Sequence, residues 1–552
     1  METRSQTGIG SKRWIQTDSA PEPVDSALES ALLRVNQPVF VMDLDNKAGV
    51  SNNGFIVIGK NAHEDLNSYN LTAYAPPLHP KDLGDSHFKA LHNIKYAYIA
   101  GAMANGISSV EMVQEAGRSG MLGFFGAGGL DIEQIETAIV SLKSQLGDYP
   151  FGFNLIHSPN DPDLETATVD LYLKYKVRLV SAAAFMRLTL PLVYYRIKGI
   201  HKHPDGSIVC PNKIIAKVSR VEVARRFFSP PPEKMIQQLI EKKMITPEEA
   251  ALAPFVPVAD SMTAEADSGG HTDNRPALAL LPTMLSLRDE MAKQHNYQTP
   301  LCVGLGGGIA TPESAAAAFA MGAAYILTGS INQSCIESGT SEEVRRMLTE
   351  AGQADVTMAP AADMFEMGVK VQVLKRGTMF SVRAAKLYGL YSRYNRYEDI
   401  PEKERITLES KFFRNSFEEE WQNTSAFFAK RDPKQIAKAE GDPKHKMALV
   451  FRSYLGRSSM WAVTGDASRK IDFQIWCGPA IGAFNEWVKG SFLEKPENRT
   501  IQTVAMNILL GASVSTRASW LRNQGATFTE GAGRFSPLDL NDINKLLKEQ
   551  NE

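Results

Sequence analysis

Between residues 94 and 340 the sequence keeps one rhythm: a short apolar run ends in Gly, Ala or Asn, and a stretch of helical character follows. The runs are YAYIAGAM (96–103), MLGFFGAGG (121–129), FGFNLI (151–156), VRLVSAAAF (177–185), IIAKVS (214–219), DSMTAEADSGG (260–270), LCVGLGGGI (301–309) and AYILTGS (324–330). Eight runs over about 240 residues match the span of a closed eight-fold β/α barrel. Its strands are buried on both faces, so they read as continuous apolar segments rather than alternating ones. The small and polar residues fall at the C-terminal end of each run, where such barrels place their sites. A doubly wound open sheet is the alternative, but it carries its phosphate glycines after the first strand, not near the last.

The expected architecture is therefore α/β: a TIM (β/α)8 barrel over 94–344, a small β-rich leader over 1–93 and a mainly helical region over 345–552. Residues 1 to about 30 are polar and expected to be loose. KRDPKQIAKAEGDPKHK (430–446) reads as an exposed connector. The formal net charge of -2 provides no global field for nucleic acid or an anionic membrane. The N-terminus lacks the apolar core of a signal peptide, and no apolar run approaches the roughly 20 residues that span a bilayer. Four scattered cysteines, Cys210, Cys302, Cys335 and Cys477, argue against a zinc site or a disulfide framework. A cytoplasmic protein without a metal is expected.

LCVGLGGGIATPESAAAAFAMGAAYILTGS carries the most specific signal. A strand runs into Gly306-Gly307-Gly308, Thr311 reads as an N-cap and Pro312 as the first helical residue. Gly322 ends that helix, and the next strand ends in Thr328-Gly329-Ser330. Backbone N–H groups at a helix start and in a glycine loop bind phosphate. No Lys follows the glycines as GKS or GKT, which disfavours a triphosphate loop. A monophosphate, of flavin mononucleotide or of a sugar phosphate, suits such a cradle.

EADSGGHTDNRP (265–276) sets acids, a glycine pair and His271 together; a surface turn is the plain alternative. His271 is the leading candidate for acid–base work, since imidazole titrates near neutral pH. Lys217, in the fifth run, is placed to meet a cofactor or to be a paired, buried lysine. His157 follows the third run and could face the same pocket. His201 and His203 in HKHPDG lack further ligands, so a solvated loop is expected there rather than a metal.

Four segments together resemble the FMN-dependent nitronate monooxygenase and FabK-type enoyl reductase group: IAGAMANGIS, FGFNLI, EADSGGH, and VGLGGGI with LTGS. AYAPPLHPKDLGD, RAAKLYGLY and DFQIWCGPAIGAFNEWVKGS extend the likeness nearly end to end to the PfaD family. These are trans-acting enoyl reductases of bacterial polyunsaturated fatty acid and polyketide synthases. The resemblance implies FMN held by Gly101, Ala102, Met103, Asn154, Gly269, Gly270, Gly307, Gly308, Gly329 and Ser330; Lys217 and Asp267 are further candidate contacts read from the residues themselves. It implies NADPH or NADH as hydride donor and a 2-enoyl thioester on acyl carrier protein domains as substrate; His271 is then the candidate proton donor, or orients the flavin and shapes the pocket, with Asp267 or Glu265 fixing its tautomer or contacting the flavin. Leu327 departs from the group, which keeps a Gln there. A homodimer is compatible with this reading. The alternatives are a nitronate-type flavin oxidase and a non-catalytic synthase scaffold. Residues 369–397 hold seven Lys and Arg and no acid, which reads as a docking face for an acidic carrier protein. Tyr388, Tyr391, Tyr394 and Tyr397 would line an acyl entry.

Overall fold

The computed structural model describes residues 12–45, 47–59, 67–157, 162–529 and 531–548. All eight apolar runs form strands of one closed parallel barrel: Tyr98–Ala100, Leu122–Phe125, Phe151–Ile156, Leu179–Ala183, Lys213–Val218, Ser261–Glu265, Cys302–Gly306 and Ile326–Thr328, here strands one to eight. Strand eight closes on strand one with Leu327 opposite Ile99. That closure excludes the open sheet.

Side chains alternate along a strand, so one row per strand faces the barrel axis. The inward rows are those whose residues meet across the interior: Ile99, Phe124, Leu179, Ile215 and Tyr325 share one buried cluster. Bulky and missing side chains complement each other there. A Cβ on Gly152 would lie 2.4 Å from the Phe124 ring, and one on Gly304 2.3 Å from the Tyr325 ring. Close packing leaves no room for either.

The leader is more ordered than its composition suggests. Lys12–Ile15 is a strand of a six-stranded antiparallel sheet that also holds Val39–Leu44, Lys47–Ser51 and Ser68–Ala75, and Val24–Leu33 is a helix. Trp14 is fully buried against Phe40 and Tyr69 and donates its indole N–H to the Asn53 carbonyl at 2.9 Å. The expectation of a loose segment thus fails from residue 12 onward, and residues 1–11 lie outside the described residues. His201–Lys202 and Ile208–Val209 make a small exposed hairpin, and no metal-ligand cluster occurs among the described residues.

Beyond the barrel the chain is mainly helical, with one exception that matters for the site. Val356–Pro360 and Lys370–Leu374 form a hairpin whose second strand pairs with Gly270–His271. Helices Phe380–Arg393 and Pro443–Thr464 build a second apolar core around Phe365, Phe413 and Phe451. The long helix Ile501–Asn523 crosses the helix after strand seven, Pro312–Ala320. Their contact is close because Gly511 has no side chain: a Cβ there would lie 2.5 Å from the Pro312 ring. Among the described residues no helix is long and apolar enough to cross a membrane.

Three surface expectations change. The 430–446 connector is helical: Phe417–Arg431, Pro433–Gly441 and Pro443–Thr464 follow one another across it. Three of the four tyrosines pack against other rings. Tyr388 and Tyr391 pack on Phe365, and buried Tyr397 stacks on Phe417 at 3.8 Å. The basic stretch is largely neutralised by acids from elsewhere. Arg383 pairs with Asp472, Lys386 with Glu404 at 2.5 Å, and Arg396 with Asp399 at 2.9 Å.

Candidate active site

At the C-terminal mouth the inward rows end in small residues. Gly101 follows strand one, Gly126 strand two and Ala183 ends strand four; Gly306 ends strand seven. Lys217 and Glu265 are the two ionisable side chains that these rows place at this end, among the described residues. Each lies two positions beyond an interior residue, Ile215 and Thr263, and so points the same way. Their Nζ and Oε1 are 2.7 Å apart, with side chains 24% and 14% exposed. Glu265 Oε1 also accepts from Ser268 Oγ at 3.1 Å.

The phosphate end has the expected local structure, with one correction. Thr311 caps the helix Pro312–Ala320, but several of the donors there are not bare. Ser314 Oγ accepts from the N–H groups of Ala310 and Thr311, each at 3.0 Å, and Thr311 Oγ1 accepts from Ser314 N–H. Among the described residues the N–H groups of Gly307, Gly308, Gly329 and Ser330 carry no protein hydrogen bond, and neither do those of Ile309 and Glu313. A Cβ on Gly308, Gly329 or Gly270 would meet no protein atom within 4 Å. These loops therefore enclose free space beside open backbone donors, which fits the phosphate and flat ring of a flavin mononucleotide.

Neighbouring loops hold this space in shape. Ser108, fully buried, accepts from Met103 N–H at 2.9 Å and donates to the Gly101 carbonyl at 2.8 Å, fixing the Gly101-Ala102-Met103 turn. Asn154 Oδ1 accepts from Ala127 N–H at 2.7 Å and Gly128 N–H at 3.3 Å, so its acceptor steadies the loop after strand two. Its Nδ2 donates to no group among the described residues. Arg220 and Ser219 hold Asp273, and the Arg220 hydrogen bonds bring that carboxyl down to about 2.

Other predicted residues are engaged in ways the sequence did not indicate. Asp267 Oδ1 accepts from Asn274 and Gln372, both at 2.8 Å, which ties strand six to the hairpin. Gly269 lacks a side chain because a Cβ would lie 2.7 Å from Cys477 Cα. His271 Nε2 meets Asp363 at 3.2 Å, so neither Asp267 nor Glu265 orients it. His157 Nδ1 pairs with buried Glu165 at 2.9 Å while its ring stacks on Phe185. It sits one position out of step with inward-facing Asn154, and points into the layer between strands and helices.

Burial alone would lower the His271 pKa; the hydrogen bond and charge of Asp363, with Glu265 adding, raise it above its ordinary 6.5. A raised histidine pKa contributes stability that is complete below the ordinary value and fades as pH rises through the folded one. Asp363→Asn should therefore shift the His271 titration downward, read from the Cε1–H signal of labelled histidine. An unmoved midpoint would remove Asp363 as its partner.

The C-terminal region, expected to be helical and packed on the barrel, roofs the mouth. Ser459 Oγ accepts from Asn105 Nδ2 at 2.8 Å, and Ser330 Oγ accepts from Gly478 N–H at 2.9 Å. With Cys477 on Gly269, the roof touches loops after strands one, six and eight. No spacing rule could pair residues so far apart.

Fold and site together define a (β/α)8 barrel with open backbone donors at its mouth, under a helical cover. A family model described as nitronate monooxygenase matches residues 85–392, and the chain belongs to that family, a family of flavoenzymes. A model described as [acyl-carrier-protein] S-malonyltransferase, inserted helical domain, matches residues 394–473. The crystal structure of the enoyl reductase domain of MlnA, from the macrolactin biosynthesis cluster of Bacillus amyloliquefaciens, is 42% identical with a TM-score of 0.75, covering 80% of this chain and 99% of that one. A subunit of the polyunsaturated fatty acid synthase of Thraustochytrium sp. is 44% identical over 515 residues, 92% of this chain. Polyketide biosynthesis protein PksE of Bacillus subtilis is 46% identical over 435 residues, 79% of this chain. The chain spans 34% and 56% of the length of those two relatives.

Proposed function

We propose that this chain is the enoyl reductase of a polyunsaturated fatty acid or polyketide synthase system. It reduces 2-enoyl thioesters carried on acyl carrier protein domains with NADPH or NADH, through FMN. The observation that carries this reading is the 42% identity to an enoyl reductase domain, sustained over 99% of that domain and 80% of this chain. The four cysteines, all free, suit a reducing cytoplasm.

When bound, a flavin accepts hydride from a nicotinamide and delivers it to an electron-poor alkene carbon. The protein supplies position, dryness and protons. In this proposal the N–H groups of Gly307, Gly308, Gly329 and Ser330 hold the phosphate. Gly101, Ala102, Met103 and Asn154 form the floor under the ring. Gly269, Gly270 and Asp267 carry the loop that closes its edge through the hairpin. The roof excludes bulk water, which strengthens every polar contact beneath it.

The test has two parts. Denaturing the purified protein should release FMN; release of FAD, or no flavin after reconstitution, would overturn the cofactor. Under anaerobic conditions NAD(P)H should bleach the flavin and crotonyl thioester should restore it. A reduced protein that ignores enoyl thioesters but oxidises nitronates with oxygen would assign it the chemistry of the family's namesake instead.

A further inference from the structure

We infer that Lys217 delivers the proton to the α-carbon of the substrate, positioned by Glu265. This rests on the enoyl reductase reading and adds its acid. The histidine expected for that role has its Nε2 on Asp363 and a side chain 41% exposed at the rim. Lys217 is instead the one cation that the inward rows bring to the mouth among the described residues, where the surrounding positions are Gly, Ala and Asn.

The geometry suits a donor. Lys217 stands opposite Thr263 in the strand register and one inward position above Ile215, so its stem rises from the packed interior and its ammonium reaches the mouth. Lys217 Nζ lies 2.7 Å from Glu265 Oε1 and pairs with no other acid among the described residues. Glu265 is itself fixed by Ser268. The carboxylate fixes where the ammonium stands at the mouth.

The step balances. Hydride supplied by the bound flavin forms the new C–H bond at the β-carbon, and the alkene π pair moves onto the α-carbon. One Nζ–H bond of Lys217 breaks, its electron pair stays on nitrogen, and the proton forms the second C–H bond. The neutral amine regains a proton from water. The thioester gains two hydrogens, and one nicotinamide and one solvent proton are consumed.

Lys217→Arg is the decisive variant, since it keeps the charge and the pair with Glu265 but carries a group that does not deprotonate in proteins. We expect unchanged flavin content, thermal midpoint and affinity for a saturated acyl thioester read by flavin fluorescence, with NAD(P)H reduction as fast as before. Reoxidation by crotonyl thioester should slow by about 10²–10⁴-fold. Lys217→Ala should slow equally and regain rate with added methylamine. If Lys217→Arg reoxidises at the wild-type rate, or His271→Ala alone loses the step, Lys217 is not the donor. If methylamine fails to restore Lys217→Ala, the lysine acts by structure alone and the inference also falls. Wild-type reduced protein that no enoyl thioester reoxidises would instead overturn the function itself.

Discussion

Gly329→Asp should give a folded, colourless protein. The residue caps a short helix with φ of −131°, which a side chain can adopt, and a Cβ there meets no protein atom within 4 Å. The new carboxylate would stand beside the phosphate that the open N–H groups are proposed to hold. Two like charges about 4 Å apart at a half-exposed site repel by about 4 kcal/mol, a loss of roughly a thousandfold in affinity. Gly329→Ala should keep its flavin. Gly307→Asp is a poorer probe, because φ of +91° and a carbonyl 2.7 Å from its Cβ would disturb the loop as well. Retention of one flavin per chain by Gly329→Asp would mean the phosphate binds elsewhere.

Arg383→Glu should cost the fold rather than a partner. Asp472 is fully buried and accepts from Arg383, from Tyr454 Oη at 2.6 Å and from Arg469 at 3.2 Å. Reversal sets a second carboxylate against it and strands the first. Breaking a buried pair in this way costs about 3–5 kcal/mol, visible as a lower urea midpoint. Arg393→Glu, on an exposed position of the same helix with no ionic partner among the described residues, should stay within about 0.5 kcal/mol of wild type. Equal stability of the two variants would show that Asp472 does not depend on Arg383.

The contrast explains what could be read from the sequence. The eight strands were legible because burial on both faces is written locally, run by run. The helix after strand seven was legible too, since Thr311 and Pro312 are neighbours and act on their own turn. Arg383 looked free because its acid lies far along the chain, beyond any window of composition. The 430–446 helices were misread for a different reason. Asp432-Pro433 and Asp442-Pro443 suggest turns, yet in each the Asp side chain caps the helix that the Pro begins. The same dipeptide that interrupts one helix starts the next. At the site, the glycines were legible but some of their neighbours were not. Gly269 makes way for Cys477, and Ser314 takes up two of the donors that the helix start seemed to offer.

The roof also sets a timetable. Its contacts on Asn105, Gly269 and Ser330 come from Ser459, Cys477 and Gly478. Synthesis at about 5–20 residues per second separates Ser330 from Gly478 by roughly 7–30 seconds. During that interval the nascent barrel can close with its cradle uncovered. The cradle glycines are thus in place before the residues that cover them exist.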